Sequence, residues 1–384
     1  MAEPPEQNWQ LETILQHLGE DYSHRGAVVP PLFQNSLFTY KSAEDFVNRM
    51  GIEGAFDYTR VSNPTIDLAQ QKVAALEQTD ECRLFGSGMA AICAAIMSTI
   101  QSGDHVICTH AAYGPTRQFL RDYLPKFGVT TTFVDGTDLA ELERALQPNT
   151  KTIFLESPGT FFFHIQDLEA ISSLAKPRGI KTIIDNSNAT PVFQQPAKFG
   201  IDLVCHTVTK YLGGHSDVVA GAVCGSTDAM KELVFFEGVL LGGICDPFAA
   251  WLITRSLRTL ALRMERHQQS AILVANMLQN HPKVETVHYP GLSTHPGQDL
   301  IKKQMSGTTG LLTFTPKQRD RNKVFKFCEQ LELFQIGVSW GGHESLAIPV
   351  TSEDDPNTWH VRVSVGLENA NDLIADLQKQ LSLL

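Results

Sequence analysis

Lys210 closes the segment Leu203-Val-Cys-His-Thr-Val-Thr-Lys210, and Asp185 closes Lys181-Thr-Ile-Ile-Asp185, so an amine and a carboxylate stand at the ends of two short apolar runs 25 residues apart. That spacing is enough for a loop, a crossover and a return strand in one sheet. An amine and a carboxylate at neighbouring strand ends suit pyridoxal 5'-phosphate: the lysine forms the Schiff base with the aldehyde carbon, and the carboxylate keeps the pyridine nitrogen protonated so that the ring can draw electrons. A lone lysine there would read as a strand-end charge; its company changes the reading. Thr207 and Thr209 precede it at alternate positions, which on a strand would send both hydroxyls to one side, where a phosphate could be held. Upstream, Phe85-Gly-Ser-Gly88-Met89-Ala-Ala-Ile92 reads as strand, glycine turn and helix start, whose free N–H groups and positive dipole end favour an anion.

The elements that must position these groups follow the same pattern. From about 80 to 225 seven apolar runs (82–85, 105–108, 131–134, 152–155, 182–184, 203–208 and 219–224) alternate with helical periodicity. Uninterrupted apolar strands separated by helices predict an α/β fold, a mostly parallel sheet with helices on both faces. Ligands of such sheets sit at the carboxyl ends of the strands, where Asp185 and Lys210 fall. Asn63-Pro64 signals a helix start, with Ile66, Ala69, Val73 and Leu76 on one face. Asp138 with Glu141 predicts a capping box. The first sixty residues read as an arm rather than core. After a helical region from about Asp246 to Asn280, strands such as 310–314 and 361–365 and a helix at 371–381 suggest a smaller α+β domain.

Composition excludes several classes of function. The 384 residues are 42% hydrophobic and 19% charged, ordinary for a globular chain, and the net charge of −11 comes with no basic block that would serve as a nucleic-acid footprint. No stretch reads as a signal peptide or a membrane span. Seven dispersed cysteines without a Cys-x-x-Cys pair fit reduced thiols rather than a disulfide frame or a metal site, and with them a cytoplasmic setting.

Tyr58-Thr-Arg60-Val-Ser-Asn-Pro64-Thr65, Ser87-Gly88-Met89, Tyr113-Gly114, Asp185-Asn186, Thr207-Val-Thr209-Lys210-Tyr211-Leu212, Gly214-His-Ser-Asp217, Asp246-Pro-Phe248, Arg258-Thr-Leu260 and Val361-Arg362-Val-Ser-Val-Gly366-Leu-Glu368 occur in this order. Together they resemble the transsulfuration family of pyridoxal-phosphate enzymes, which contains cystathionine γ-synthases, γ-lyases and β-lyases. The resemblance implies a fold-type I enzyme: an arm over residues 1–62, a cofactor-binding domain over 63–250 and a C-terminal domain over 251–384. It implies that Lys210 carries the cofactor and then shuttles protons, that Asp185 pairs with the pyridine nitrogen, and that Tyr113 stacks on the ring. Gly88, Met89, Thr207 and Thr209 would hold the phosphate, with Tyr58 and Arg60 reaching it from a neighbouring subunit of a homo-oligomer, a dimer at least and a tetramer of two dimers by preference. Arg362 would clamp the α-carboxylate of a small amino-acid substrate, with Ser339 near the Lys210 amine.

Departures concern the substrate. Thr160 stands where many members carry an asparagine, in Glu156-Ser-Pro158-Gly159-Thr160. Val338 precedes Ser339 where γ-synthases and γ-lyases usually have a glutamate. Both segments, Ser339-Trp340-Gly341-Gly342 included, resemble β-lyases. The family's usual basic residue after Tyr113-Gly114 is displaced, Gln118 taking its place beside Arg117. The expectation is a carbon–sulfur lyase of the cystathionine β-lyase kind that releases a keto acid, ammonia and a thiol. A γ-lyase or γ-replacement enzyme is the alternative, and a non-catalytic paralogue is disfavoured by the intact Lys210 and Asp185. Phe161, Phe162 and Phe163 could form a core strand.

Overall fold

The computed structural model describes residues 9–49, 55–351 and 355–384, and in it the seven apolar runs make one sheet. Its strands are β1 (Glu81–Phe85), β2 (His105–Thr109), β3 (Thr130–Val134), β4 (Thr150–Glu156), β5 (Lys181–Asp185), β6 (Leu203–His206) and β7 (Gly221–Gly225), in the order β1-β7-β6-β5-β4-β2-β3. β3, β2, β4, β5 and β6 pair in parallel, whereas β7 runs antiparallel to both of its neighbours. Successive side chains of a strand point to opposite faces, so each central strand feeds two cores. Ile153, Leu155, Ile184 and Val204 pack with the helices Pro64–Glu77 and Pro247–Leu257, while Phe154, Ile183, Leu203 and Cys205 pack with the helix Gly88–Met97.

A second, all-antiparallel sheet has the order β10-β11-β9-β8, with β8 (Val284–His288), β9 (Leu311–Pro316), β10 (Leu346–Val350) and β11 (His360–Ser364). The helical region before it is two helices, Pro247–Leu257 and Leu260–Gln279. Residue 250 lies inside the first, and the second carries Met264 in the large domain's core and Ala271 in the small domain's. One helix thus fixes the two domains to each other, which matters because the site draws residues from both.

Three local expectations are corrected. Asn63 does cap the helix Pro64–Glu77, accepting the Thr65 N–H at 2.9 Å. Asp138 likewise accepts from Ala140, but Glu141 turns away to the Asp135 N–H, so no reciprocal capping box forms. The arm is not wholly outside the core: Leu15, in the helix Leu11–His17, is buried in the large core, and the wholly buried Lys72 ammonium donates to the Leu15 carbonyl at 3.0 Å and pairs with Glu20 at 3.1 Å. The three phenylalanines form a turn instead of a strand. Phe161 and Phe163 have φ of 65° and 58°, a region costly for side chains of this bulk. Phe163 is buried, and Phe162 packs edge-on against His288 and His360.

Candidate active site

Parallel pairing with Asp185 opposite Cys205 in β5 and β6 brings the two strand ends together, and the chain leaving β6 turns immediately towards Lys210. β6 stops at His206, two residues short of the expected end. Thr207 to Lys210 is a turn closed by the Lys210 N–H on the Thr207 carbonyl at 3.0 Å. Strand alternation therefore does not place the two threonines. The Thr207 hydroxyl lies against Gly88, where a Cβ would come within 2.3 Å of it, so only glycine permits this approach. The Thr209 hydroxyl instead exchanges hydrogen bonds with the backbone of Ala220. Gly88 and Met89 open a ten-residue helix capped by Ser87, and their N–H groups have no intrahelical acceptor. The Met89 sulfur accepts from the Thr116 hydroxyl.

The Lys210 amine donates to the Ser339 hydroxyl at 2.8 Å and sits 5.2 Å from the Trp340 ring centre. Burial, helped by the nearby Arg362 charge and opposed by Asp185, pulls its pKa down to about 8. The buried Asp185 carboxyl accepts both the N–H of Ser187 (2.9 Å) and its hydroxyl (2.5 Å) on Oδ1. Its Oδ2 has no hydrogen-bond partner among the described residues. Burial raises its pKa against the pull of Ser187, His206 and Lys210. Arg362, on β11, gives Nη2 to the carbonyls of Val338 and Ser339, both at 3.0 Å, and lies 6.0 Å from the Phe161 ring centre. Its other N–H donors have no hydrogen-bond partner among the described residues, and burial lowers its pKa to about 10. The Val338 side chain is 86% exposed.

Tyr113 precedes the short helix Gly114–Gln118 with its ring half exposed, and its N–H donates to Glu156 Oε2 at 2.7 Å. Thr160 donates its hydroxyl to the other oxygen, Oε1, at 2.5 Å. Glu156 is the residue that the sequence reading missed. It ends β4 in register with Asp185, and burial together with that neighbouring carboxyl pushes its pKa up. The signal was available: Glu156 closes the run 152–155 as Asp185 closes 182–184.

Tyr58 and Arg60 are not brought to Lys210 within the chain. Arg60 lies 5.6 Å from the Tyr58 ring centre and donates to the Val239 carbonyl at 2.7 Å, and Tyr58 is exposed.

The residues present fit pyridoxal phosphate. A half-buried amine with a lowered pKa, a buried carboxylate oxygen left open, and a helix start pressed against a threonine hydroxyl supply a group for the aldehyde, one for the ring nitrogen and one for the phosphate. A fold of this order with such a lysine in the turn that follows β6 defines the class of fold-type I pyridoxal-phosphate enzymes.

The comparisons reach the same class. The chain matches the family profile described as "Cys/Met metabolism PLP-dependent enzyme" over residues 12–382. It is 39% identical over 368 residues to a cystathionine γ-lyase of Bacillus subtilis, covering 93% of this chain and 94% of that protein. It is 38% identical over 388 residues to an L-methionine γ-lyase of Fusobacterium nucleatum (97% and 98%), and 37% identical over 368 residues to a cystathionine β-lyase of Lactococcus lactis (93% and 94%). The solved structure of a putative O-acetylhomoserine (thiol)-lyase of Campylobacter jejuni, which contains N'-pyridoxyl-lysine-5'-monophosphate, superposes with a TM-score of 0.91 at 30% identity, covering 98% of this chain and 100% of that one. The chain belongs to the Cys/Met metabolism family of pyridoxal-phosphate-dependent enzymes. Among the described residues no helix is long and apolar enough to cross a membrane.

Proposed function

We propose that the protein is a carbon–sulfur lyase that eliminates a thiol from Cβ of a sulfur amino acid in the manner of a cystathionine β-lyase. The observation that carries the reading is the Lys210 amine, half-buried, held by Ser339 and set between the charges of Asp185 and Arg362. Pyridoxal phosphate, when bound, supplies the electron sink that makes the Cα–H of an attached amino acid acidic. Lys210 Nζ takes that proton and returns one to the departing sulfur. Asp185 Oδ2 would pair with the ring nitrogen, and Tyr113 would cover the ring. Gly88, Met89, Thr207 and Thr209 would hold the phosphate. The open donors of Arg362 bind the substrate carboxylate, with Ser339, Thr160, Val338 and Trp340 around the substrate.

Preference for β-elimination rests on Val338 and on the Glu156-to-Thr160 segment, which resemble β-lyases. Elimination from Cγ is the second reading, favoured by the γ-lyase relatives at 39% and 38% identity. Incubating the loaded protein with cystathionine, and separately with homocysteine, cysteine, methionine and O-acetylhomoserine, separates them. Pyruvate from cystathionine supports the first reading, 2-oxobutyrate supports the second, and no keto acid from any of the five sinks both.

The assembly is a homo-oligomer, at least a dimer and by preference a tetramer, in which Tyr58 and Arg60 complete the neighbour's phosphate site. Supporting this, among the described residues neither Tyr58 nor Arg60 makes a hydrogen bond or ring contact with its own Lys210, and Arg60 donates to the Val239 carbonyl in the π-helix Val234–Leu240. That helix and the residue after it expose Phe235, Phe236, Leu240 and Leu241 to solvent. Seven free thiols suit a reducing, cytoplasmic setting.

A further inference from the structure

Lys210 stands in a turn that the sheet ladder does not hold. β6 ends at His206, whose Nε2 meets Glu77 Oε1 with both side chains fully buried, so the chain is fixed up to that residue. Beyond it the chain leaves the ladder, and a shift of the turn would be carried along the lysine stem to the amine. The far side of the turn is fixed by Arg263, a buried residue of the helix Leu260–Gln279. Its Nη1 donates to the Tyr211 carbonyl at 2.6 Å, its Nη2 to the Ser256 carbonyl at 3.0 Å and its Nε to the Thr259 hydroxyl at 3.2 Å. Ser256 lies in the last turn of the helix Pro247–Leu257, where carbonyls lack a partner within the helix and the dipole favours a cation. Among the described residues no carboxylate pairs with this guanidinium, and those carbonyls answer its charge.

The lysine turn is shaped to receive the guanidinium. The chain folds back at once, the Gly214 N–H donating to the Lys210 carbonyl and the Gly213 N–H to the Val208 carbonyl, both at 2.7 Å. Gly214 has a φ of 64°, and a Cβ there would lie 1.9 Å from Arg263 Nη1, so glycine is what lets the turn close over the side chain. Tyr211 is gripped from the small domain as well. Its hydroxyl accepts the Gly310 N–H at 2.9 Å, and its ring centre lies 5.5 Å from that of Trp340, the neighbour of the Ser339 that accepts from the lysine amine. We infer that Arg263 is a positioning residue for Lys210: its planar fork ties the Tyr211 carbonyl to the end of the helix Pro247–Leu257 and thereby sets where the amine stands. The inference rests on Lys210 being the amine that the cofactor joins.

The test separates joining the cofactor from holding it. Full-length apoproteins of wild type, Arg263→Lys, Thr259→Val and Lys210→Ala are mixed with saturating pyridoxal 5'-phosphate, and stopped-flow absorbance gives the first-order rate of covalent joining. Each is also titrated with 4-deoxypyridoxine 5'-phosphate, which keeps the ring nitrogen and phosphate but has no aldehyde for the lysine. Arg263→Lys keeps the charge and loses the fork, and it should join at least about tenfold more slowly, as a displaced reacting group implies. Its affinity for the deoxy compound should stay within about twofold of wild type, because the change lies apart from Asp185, Gly88 and Thr207. Thr259→Val removes only the Nε acceptor and should slow joining by about threefold. It carries the test if Arg263→Lys does not fold. An unchanged rate overturns the inference, and so does a loss of affinity for the deoxy compound as large as the loss of rate, which would mean that the arginine supports the fold of the whole site. Covalent joining by Lys210→Ala would instead overturn the assignment of Lys210 itself.

Discussion

Glu156 and Asp185 end adjacent parallel strands in register, which sets two buried carboxyl groups side by side at the carboxyl edge of the sheet. Each answers to different partners. Asp185 is held by Ser187, and Glu156 holds the N–H of Tyr113 and the hydroxyl of Thr160. Burial and the neighbouring Asp185 charge push the Glu156 pKa up to about 8, so Glu156 serves the site through its hydrogen bonds more than through its charge. Glu156→Gln keeps an acceptor for Tyr113 and a polar partner for Thr160, and it should hold kcat/KM to within about threefold. Glu156→Ala leaves both donors unanswered and should lose tenfold or more, the cost of about 1–3 kcal/mol for an orphaned buried group. Equal losses in the two variants would show that the charge, not the hydrogen bonding, is what matters.

Lys210, with its pKa near 8, should be a faster nucleophile than an ordinary lysine in neutral solution. The neutral amine is the reactive form, so the rate at which apoprotein takes up pyridoxal phosphate should climb with pH and level off above a midpoint near 8. Stopped-flow absorbance gives the profile. A midpoint near the ordinary lysine value of 10.5 would mean that burial and the Arg362 charge do not depress the amine.

The shared site can be read by complementation. Arg60→Ala and Lys210→Ala should each have low activity alone, the first through weak cofactor binding and the second through lost chemistry. Mixed and allowed to exchange subunits, they should regain activity, because in a symmetric dimer one of the two sites then has an intact Lys210 and an intact neighbouring Arg60. No recovery after verified exchange, or a fully active monomer in sedimentation, rejects the arrangement.

His288 packs against the ring of Phe162 near His164, His295 and His360, and burial together with those imidazoles lowers its pKa to about 4. Its folded pKa lies below the ordinary 6.5. Between pH 6.5 and 4 the unfolded chain therefore binds a proton that the folded chain refuses, and stability falls as pH drops through that window. His288→Asn should lessen the acid-side fall in melting temperature, removing roughly 2 kcal/mol of the loss between pH 7 and 4.5. Part of the slope should persist through the buried His267, whose pKa is also lowered to about 4. An unchanged slope in the variant would place the acid sensitivity elsewhere.

What the sequence made legible was what local rules control. Apolar runs with a charged last residue found the parallel strands and put Asp185 and Lys210 at one edge, because strand ends and crossovers are set by neighbouring residues. Arg362 and Ser339 were visible only through family resemblance, since nothing near them says that β11 returns to the end of β6. The Glu77–His206 contact spans 129 residues and has no local signature at all. Thr207 and Thr209 were placed by strand alternation, but tertiary contacts won: Ala220 draws Thr209 into a turn and Gly88 admits Thr207. Phe161 and Phe163 adopt positive φ against their own preference, which a pattern of apolar residues could only read as a strand.

Lys210 is expected to be the residue to which the cofactor is joined. Loading the purified protein with pyridoxal 5'-phosphate, reducing it with borohydride and mapping the modified peptide by mass spectrometry tests this directly. One pyridoxyl group per chain is expected, on Lys210, and none in Lys210→Ala. A label on another lysine, or an unlabelled wild-type chain, would contradict it.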